Sequence, residues 1–124
     1  MAHDSTDALI AVVDDDRRVL ESLENLLESA GFAVSQFTSA RALLQASRLG
    51  EMDCVVSDIN MPDIDGLELS RVLRAATPEL PIILITGHPE LLRGSFGETD
   101  HFRLFTKPYD PDELLAAIGE MLGK

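Results

Sequence analysis

Apolar residues recur along this chain in two alternating rhythms. Leu9 to Val13, Cys54-Val55-Val56 and Ile82 to Ile85 are short unbroken apolar runs rich in β-branched residues, the pattern of strands buried on both faces. Between them the spacing changes to that of helices. Val19, Leu20, Leu23, Leu26, Leu27 and Ala30 predict a helix stopped by Gly31, and Phe32 to Phe37 alternates as a short strand. Ser39 can cap a second helix holding Ala42, Leu43, Leu44 and Ala46, with Gly50 after it. Met61-Pro62-Asp63 and Gly66 read as a loop. Leu67, Leu69, Val72, Leu73 and Ala76 then form a helical face that ends at Pro78 to Pro81. The final helix has an N-cap at Asp110, proline at Pro111, Glu113 three residues past the cap, and apolar Leu114, Leu115, Ile118, Met121 and Leu122. Strand and helix in alternation predict an α/β fold whose parallel sheet is covered on both faces.

One stretch breaks the rhythm. Between Thr86 and a strand around Phe102 to Phe105, only Leu91, Leu92 and Phe96 offer an apolar face. Gly94 and Gly97 would each cost a helix about 1 kcal/mol relative to alanine. The expectation is a fourth helix that is short, distorted or mobile.

Composition narrows the function classes. A chain of 124 residues, 45% apolar, suits a single domain, 1–124, with residues 1–7 as an N-terminal tail. With 22 acidic against 10 basic residues, the net charge of −12 repels phosphates and so argues against direct nucleic-acid or anionic-membrane contact. Cations or basic protein surfaces suit it better. The start, Met1-Ala2-His3-Asp4, is acidic where a secretory signal is basic, and no apolar run approaches the roughly 18–20 residues of a membrane span. A cytoplasmic location is expected. Cys54 is the only cysteine and lies inside an apolar strand, which predicts a buried structural thiol.

The candidate chemistry sits at the strand ends. Asp58 follows Cys54-Val55-Val56-Ser57, Asp14-Asp15-Asp16 follows the first run, Thr86 closes another and Lys107 another. In open parallel α/β sheets the carboxyl ends of strands are where ligands bind, so these four ends could converge on one acidic pocket flanked by a hydroxyl and an ammonium group. Carboxylates packed together repel one another, and either a cation enters or a pKa rises. A hard divalent ion answers that need. The plainer alternative for the triplet is helix capping, a role that suits Asp16 best.

Asp14-Asp15, Asp58 in Asp58-Ile59-Asn60-Met61-Pro62 with Gly66 beyond, Thr86 and Lys107-Pro108 occur in order over the whole chain. Together they resemble the receiver domain of two-component response regulators, and Thr86-Gly87-His88 is similar in spelling to the nitrogen-fixation type. The resemblance implies a doubly wound, five-stranded parallel sheet of the flavodoxin-like kind. It implies a phosphoryl group accepted on Asp58 from the phosphohistidine of a sensor histidine kinase or histidine phosphotransfer protein. Mg2+ or Mn2+ would be held by Asp15 and Asp58, the Asn60 backbone carbonyl, and Asp14 through water. Lys107 would pair with the phosphoryl group, and Thr86 would act as the switch. His88 stands where the family modulates water access, although a surface histidine fits equally well. A downstream protein or output domain and a homodimer are further partners the family implies.

The resemblance fails in one place. Receivers carry Tyr or Phe three positions before the lysine, where this chain has Leu104. Together with Gly94 and Gly97, this suggests that phosphorylation is reported through order and disorder in residues 87–101. A receiver-like binding module that signals without phosphorylation is the main rival. Asp63-Ile64-Asp65-Gly66 superficially resembles an aspartate-nucleophile phosphatase signature, but Asn60-Met61-Pro62 stands where that signature needs a strand, and its glycine is misplaced for a calcium loop. With Lys124 as the last residue, a stand-alone receiver, a phosphotransfer intermediate, an inhibitor-like partner and an excised domain all fit.

Overall fold

The computed structural model describes residues 8–92 and 102–123. Five strands, β1 (Leu9–Val13), β2 (Ala33–Phe37), β3 (Cys54–Asp58), β4 (Ile82–Thr86) and β5 (Arg103–Thr106), alternate with α1 (Arg17–Ser29), α2 (Ala40–Leu44), α3 (Gly66–Ala76) and α4 (Pro111–Met121). All pairings are parallel and the sheet order is β2-β1-β3-β4-β5. The expected doubly wound sheet is present. β1, β3 and β4 are buried along their whole length, as their unbroken apolar runs require. β2, at one edge, is partly exposed, and its burial does not follow the strict alternation expected of it: Val34 and Ser35 are both half-buried, with Val34 packed against one core and Phe37 against the other.

Side chains leave each strand on alternate faces and build two cores. Ile10, Val12, Cys54, Val56, Ile83 and Ile85 pack under α1 and α4 with Leu20, Leu23, Leu27, Leu114 and Ile118. On the other face, Ala11, Val13, Val55 and Leu84 meet Leu43 of α2 and Leu67, Leu69 and Leu73 of α3.

Local signals explain the helix ends. Asp16 caps α1 by accepting the Arg18 amide at 2.9 Å, the capping role expected of it. At the other end Gly31 has φ +94°, the Gly31 amide donates to Glu28, and the Phe32 amide reaches back to Leu27, together a Schellman stop. Asp110 accepts from the Asp112 amide to start α4, with Pro111 in its first turn.

α2 is shorter than its apolar pattern suggests. It ends at Leu44, and Ala46, expected within the helix, lies beyond it in a turn where its amide bonds to Leu43. A 3₁₀ turn, Leu49–Glu51, then leads into β3. Gly66 opens α3 and is not part of the preceding loop, and Asp65 caps that helix by accepting the Glu68 amide. After β4 the chain forms a 3₁₀ turn, Pro89–Leu92, consistent with the weak helical signal there. Residues 93–101, including Gly94, Phe96 and Gly97, lie outside the described residues. Among the described residues no helix is long and apolar enough to cross a membrane.

Candidate functional site

The carboxyl ends of β1 and β3 lie side by side because the chain crosses over between them. This is the point of the sheet where strand order reverses and a crevice opens. Asp14, Asp15 and Asp58 meet there. Each offers a carboxylate oxygen, and the three oxygens lie within 4.8 Å of one another. Asp14 and Asp58 are buried while Asp15 is exposed at the mouth, so the cluster has a dry floor and a wet entrance. The backbone fixes these positions. The Asp14 amide donates to the Phe37 carbonyl, and the Ile59 amide, next to Asp58, donates to Ile85 on β4.

Burial and charge set the proton affinities. Burial chiefly pushes Asp14 up to about 6, the charges of Asp58 and Asp15 add to the rise, and the Asp16 amide and Lys107 oppose it. The Asp16 amide donates to Asp14 Oδ1 at 2.9 Å. Asp58 is also raised, first by burial and then by Asp15, against the pull of Lys107. The Lys107 ammonium lies 3.5 Å from Asp58 Oδ1. Its backbone amide is tied to the Thr86 carbonyl at 2.8 Å, which brings the ends of β4 and β5 to the same mouth.

Thr86 is fully buried. Its hydroxyl donates to Asn60 Oδ1 at 3.1 Å and accepts the His88 amide at 2.9 Å. The strand-end backbone bond and a contact inside the site therefore coexist in one side chain. The His88 ring is on the surface near Glu90, in keeping with the plainer reading of that residue.

Two features of the site escaped the sequence reading. Tyr109, half-buried and edge-on to Phe105, has a phenol raised chiefly by burial and then by the charge of Asp14. Gly66 touches the end of β3 so closely that a Cβ there would lie 2.6 Å from the Asp58 carbonyl oxygen and 2.8 Å from Ile59 Cα. Its presence beyond Asp58 was visible in the sequence, but its reason was not. Cys54 is fully buried and burial pushes its thiol up to about 12, which makes it the inert structural cysteine expected. Leu104 is 37% exposed on β5, while Phe105 joins the α1/α4 core and Phe102 the α2/α3 core.

Fold and pocket define the class: a flavodoxin-like α/β domain with an oxygen-rich acidic crevice at its switch point. The chain belongs to the response regulator receiver domain family, whose model matches residues 10–119. It is 40% identical over 119 residues to the transcriptional regulatory protein FixJ of Azorhizobium caulinodans, covering 93% of this chain and 55% of that protein. It is 36% identical over 115 residues to the response regulator TodT of Pseudomonas putida, covering 90% and 49%. The chain thus spans about half the length of these relatives. A response regulator receiver protein from Sinorhizobium medicae superposes with a TM-score of 0.83 at 31% identity, covering 94% of this chain and 95% of that one. The Thermotoga maritima response regulator TrrA, solved in complex with Mg2+ and BeF, gives 0.83 at 27% identity over 92% and 98%.

Proposed function

We propose that this receiver takes a phosphoryl group onto Asp58 from a phosphohistidine of a sensor histidine kinase or histidine phosphotransfer protein. The reading rests on one observation: Asp14, Asp15 and Asp58 crowd their oxygens within 4.8 Å of one another. Lys107 completes the arrangement with its ammonium 3.5 Å from Asp58 Oδ1.

An Asp58 carboxylate oxygen attacks phosphorus as the P–N bond of the phosphohistidine breaks. The electron pair returns to the imidazole, and an acyl phosphate forms on Asp58. Lys107 is placed to balance charge on the arriving phosphoryl oxygens, and Thr86 supplies a buried hydroxyl at the end of β4.

The pocket fits a hard divalent cation. Its donors are all oxygen, and Asp14 and Asp58 are raised chiefly by burial and further by the neighbouring carboxylate charges, which a cation would offset. Asp14, Asp15, Asp58 and the Asn60 backbone carbonyl would hold Mg2+ or Mn2+. When bound, the ion supplies charge neutralisation for the carboxylates and the phosphoryl oxygens.

The chain catalyses its own phosphorylation and slow dephosphorylation, while its role is that of a switch. Residues 1–124 act as one cytoplasmic receiver domain that alters binding to a downstream protein or output domain, with homodimerisation as one form of that output. Incubation with a small phosphodonor and magnesium, followed by intact mass, tests the reading. The parent should gain one phosphoryl mass and Asp58→Asn none; full labelling of the variant would displace the site from Asp58.

A further inference from the structure

Thr86 has a single hydroxyl proton, and the resting fold already uses it. The hydroxyl donates to Asn60 Oδ1 at 3.1 Å while its oxygen accepts the His88 amide at 2.9 Å. Because Thr86 is fully buried, bulk water is no alternative partner for that proton. Asn60 stands two residues beyond Asp58 on a stretch whose backbone is held at Ile59, whose amide bonds Ile85 and whose carbonyl accepts the amides of Met61 and Gly66. An amide oxygen on a fixed loop therefore competes with any phosphoryl oxygen arriving at Asp58 for the same hydrogen bond.

We propose that the Asn60 side chain is a latch that holds Thr86 in its resting arrangement, so that activation requires the hydroxyl to leave Asn60 Oδ1. The proposal rests on the phosphoacceptor reading of Asp58. It gives the side chain of Asn60 a role separate from that of its backbone carbonyl, which truncating the side chain leaves in place.

Two consequences distinguish a latch from a general effect on the pocket. Removing the acceptor frees the hydroxyl, so a phosphoryl mimic binds more tightly by about two- to tenfold, the range that one net hydrogen bond confers. The gain also requires the Thr86 hydroxyl and disappears without it. The His88 amide is an independent reporter, because its acceptor is the same Thr86 oxygen.

The test is a double-mutant cycle on the full chain, measuring beryllofluoride affinity in the presence of magnesium for the parent, Asn60→Ala, Thr86→Val and the double variant. Asn60→Ala should tighten binding about two- to tenfold in the parent and leave it unchanged in the Thr86→Val background. The His88 amide resonance of unliganded Asn60→Ala should already be displaced toward its position in the liganded parent. Equal tightening in both backgrounds, or no tightening, overturns the latch. Should Thr86→Val fail to fold, the His88 resonance decides alone, and an undisplaced resonance overturns the proposal. Intact mass after phosphodonor treatment keeps the two readings apart. A parent that is phosphorylated on Asp58 but shows none of these effects loses the latch only, whereas a parent that takes up no phosphoryl group loses both.

Discussion

Asp14→Asn separates what the carboxylate cluster costs the fold from what it does for binding. Burial pushes Asp14 from the usual 3.8 up to about 6. At 1.36 kcal/mol per pKa unit, ionised Asp14 disfavours the folded state by up to about 3 kcal/mol. Because the folded pKa lies above the unfolded one, the group contributes most to stability below about pH 3.8. That contribution is lost as pH rises through about 6. Asparagine keeps a side-chain oxygen for the Asp16 amide, which now donates to Asp14 Oδ1 at 2.9 Å, but carries no charge. Asp15 opens the pocket to solvent, and water screens part of the penalty. The expected gain from Asp14→Asn is therefore about 1–2 kcal/mol at pH 8 in EDTA. The gain should fall to about half near pH 5 and to a small fraction at pH 4, where Asp14 of the parent is largely protonated. Urea denaturation of parent and variant across that range measures it. A difference independent of pH, or a variant less stable than the parent at pH 8, would refute the role assigned to burial.

Magnesium at ten times its dissociation constant should stabilise the parent by about 1.4 kcal/mol through mass action, and Asp15→Asn should remove that response. A thermal shift unaltered in the variant excludes Asp15 as a ligand. Asp15→Asn should also be more stable than the parent when both are metal-free, which the same melts without magnesium check. Gly66→Ala should cost about 1–3 kcal/mol in urea denaturation, since its Cβ would press on backbone atoms of Asp58 and Ile59 that no rotamer change can move aside. A variant as stable as the parent would mean that α3 can shift away from β3 freely. Cys54 should resist thiol reagents in the native protein and react fully in denaturant, with absorbance at neutral pH as the measure; rapid native labelling contradicts its burial.

What was legible in the sequence was whatever acts locally or by repetition. Unbroken runs such as Val55-Val56 and Ile82 to Ile85 predicted central strands because a strand buried on both faces has no polar positions to offer. Asp16, Gly31 and Asp110 marked helix ends because each bonds, or turns the chain, within three residues of itself. Asp14, Asp15 and Asp58 could be grouped because parallel strands deliver their ends to one edge. The rest depends on long-range packing. The Thr86–Asn60 bond joins residues 26 apart, and no local pattern pairs a threonine with an asparagine at that distance. The two hydrogen bonds that Arg41 Nε and Nη2 donate to Oδ2 of Asp63, which has φ 71°, are equally invisible in the sequence. Ala46 fits the apolar spacing of α2, yet the helix stops at Leu44, because a short segment entering a 3₁₀ turn and then β3 is governed by the path of the chain more than by its own periodicity.

The placing of β1 inside the sheet, between β2 and β3, also bears on how the molecule assembles. Ile10 pairs with both Val34 and Cys54, so β1 can be flanked on both sides only after β3 exists. Each strand pair of this sheet is parallel and closed by a crossover, so none can form as a local hairpin. Loop closure must precede each gain in pairing, which places this chain among domains that fold more slowly than helical bundles of its size. During synthesis the edge of β1 that β3 will cover stays unpaired until β3 emerges, a period in which the nascent chain is open to wrong strand partners and to chaperones that mask them.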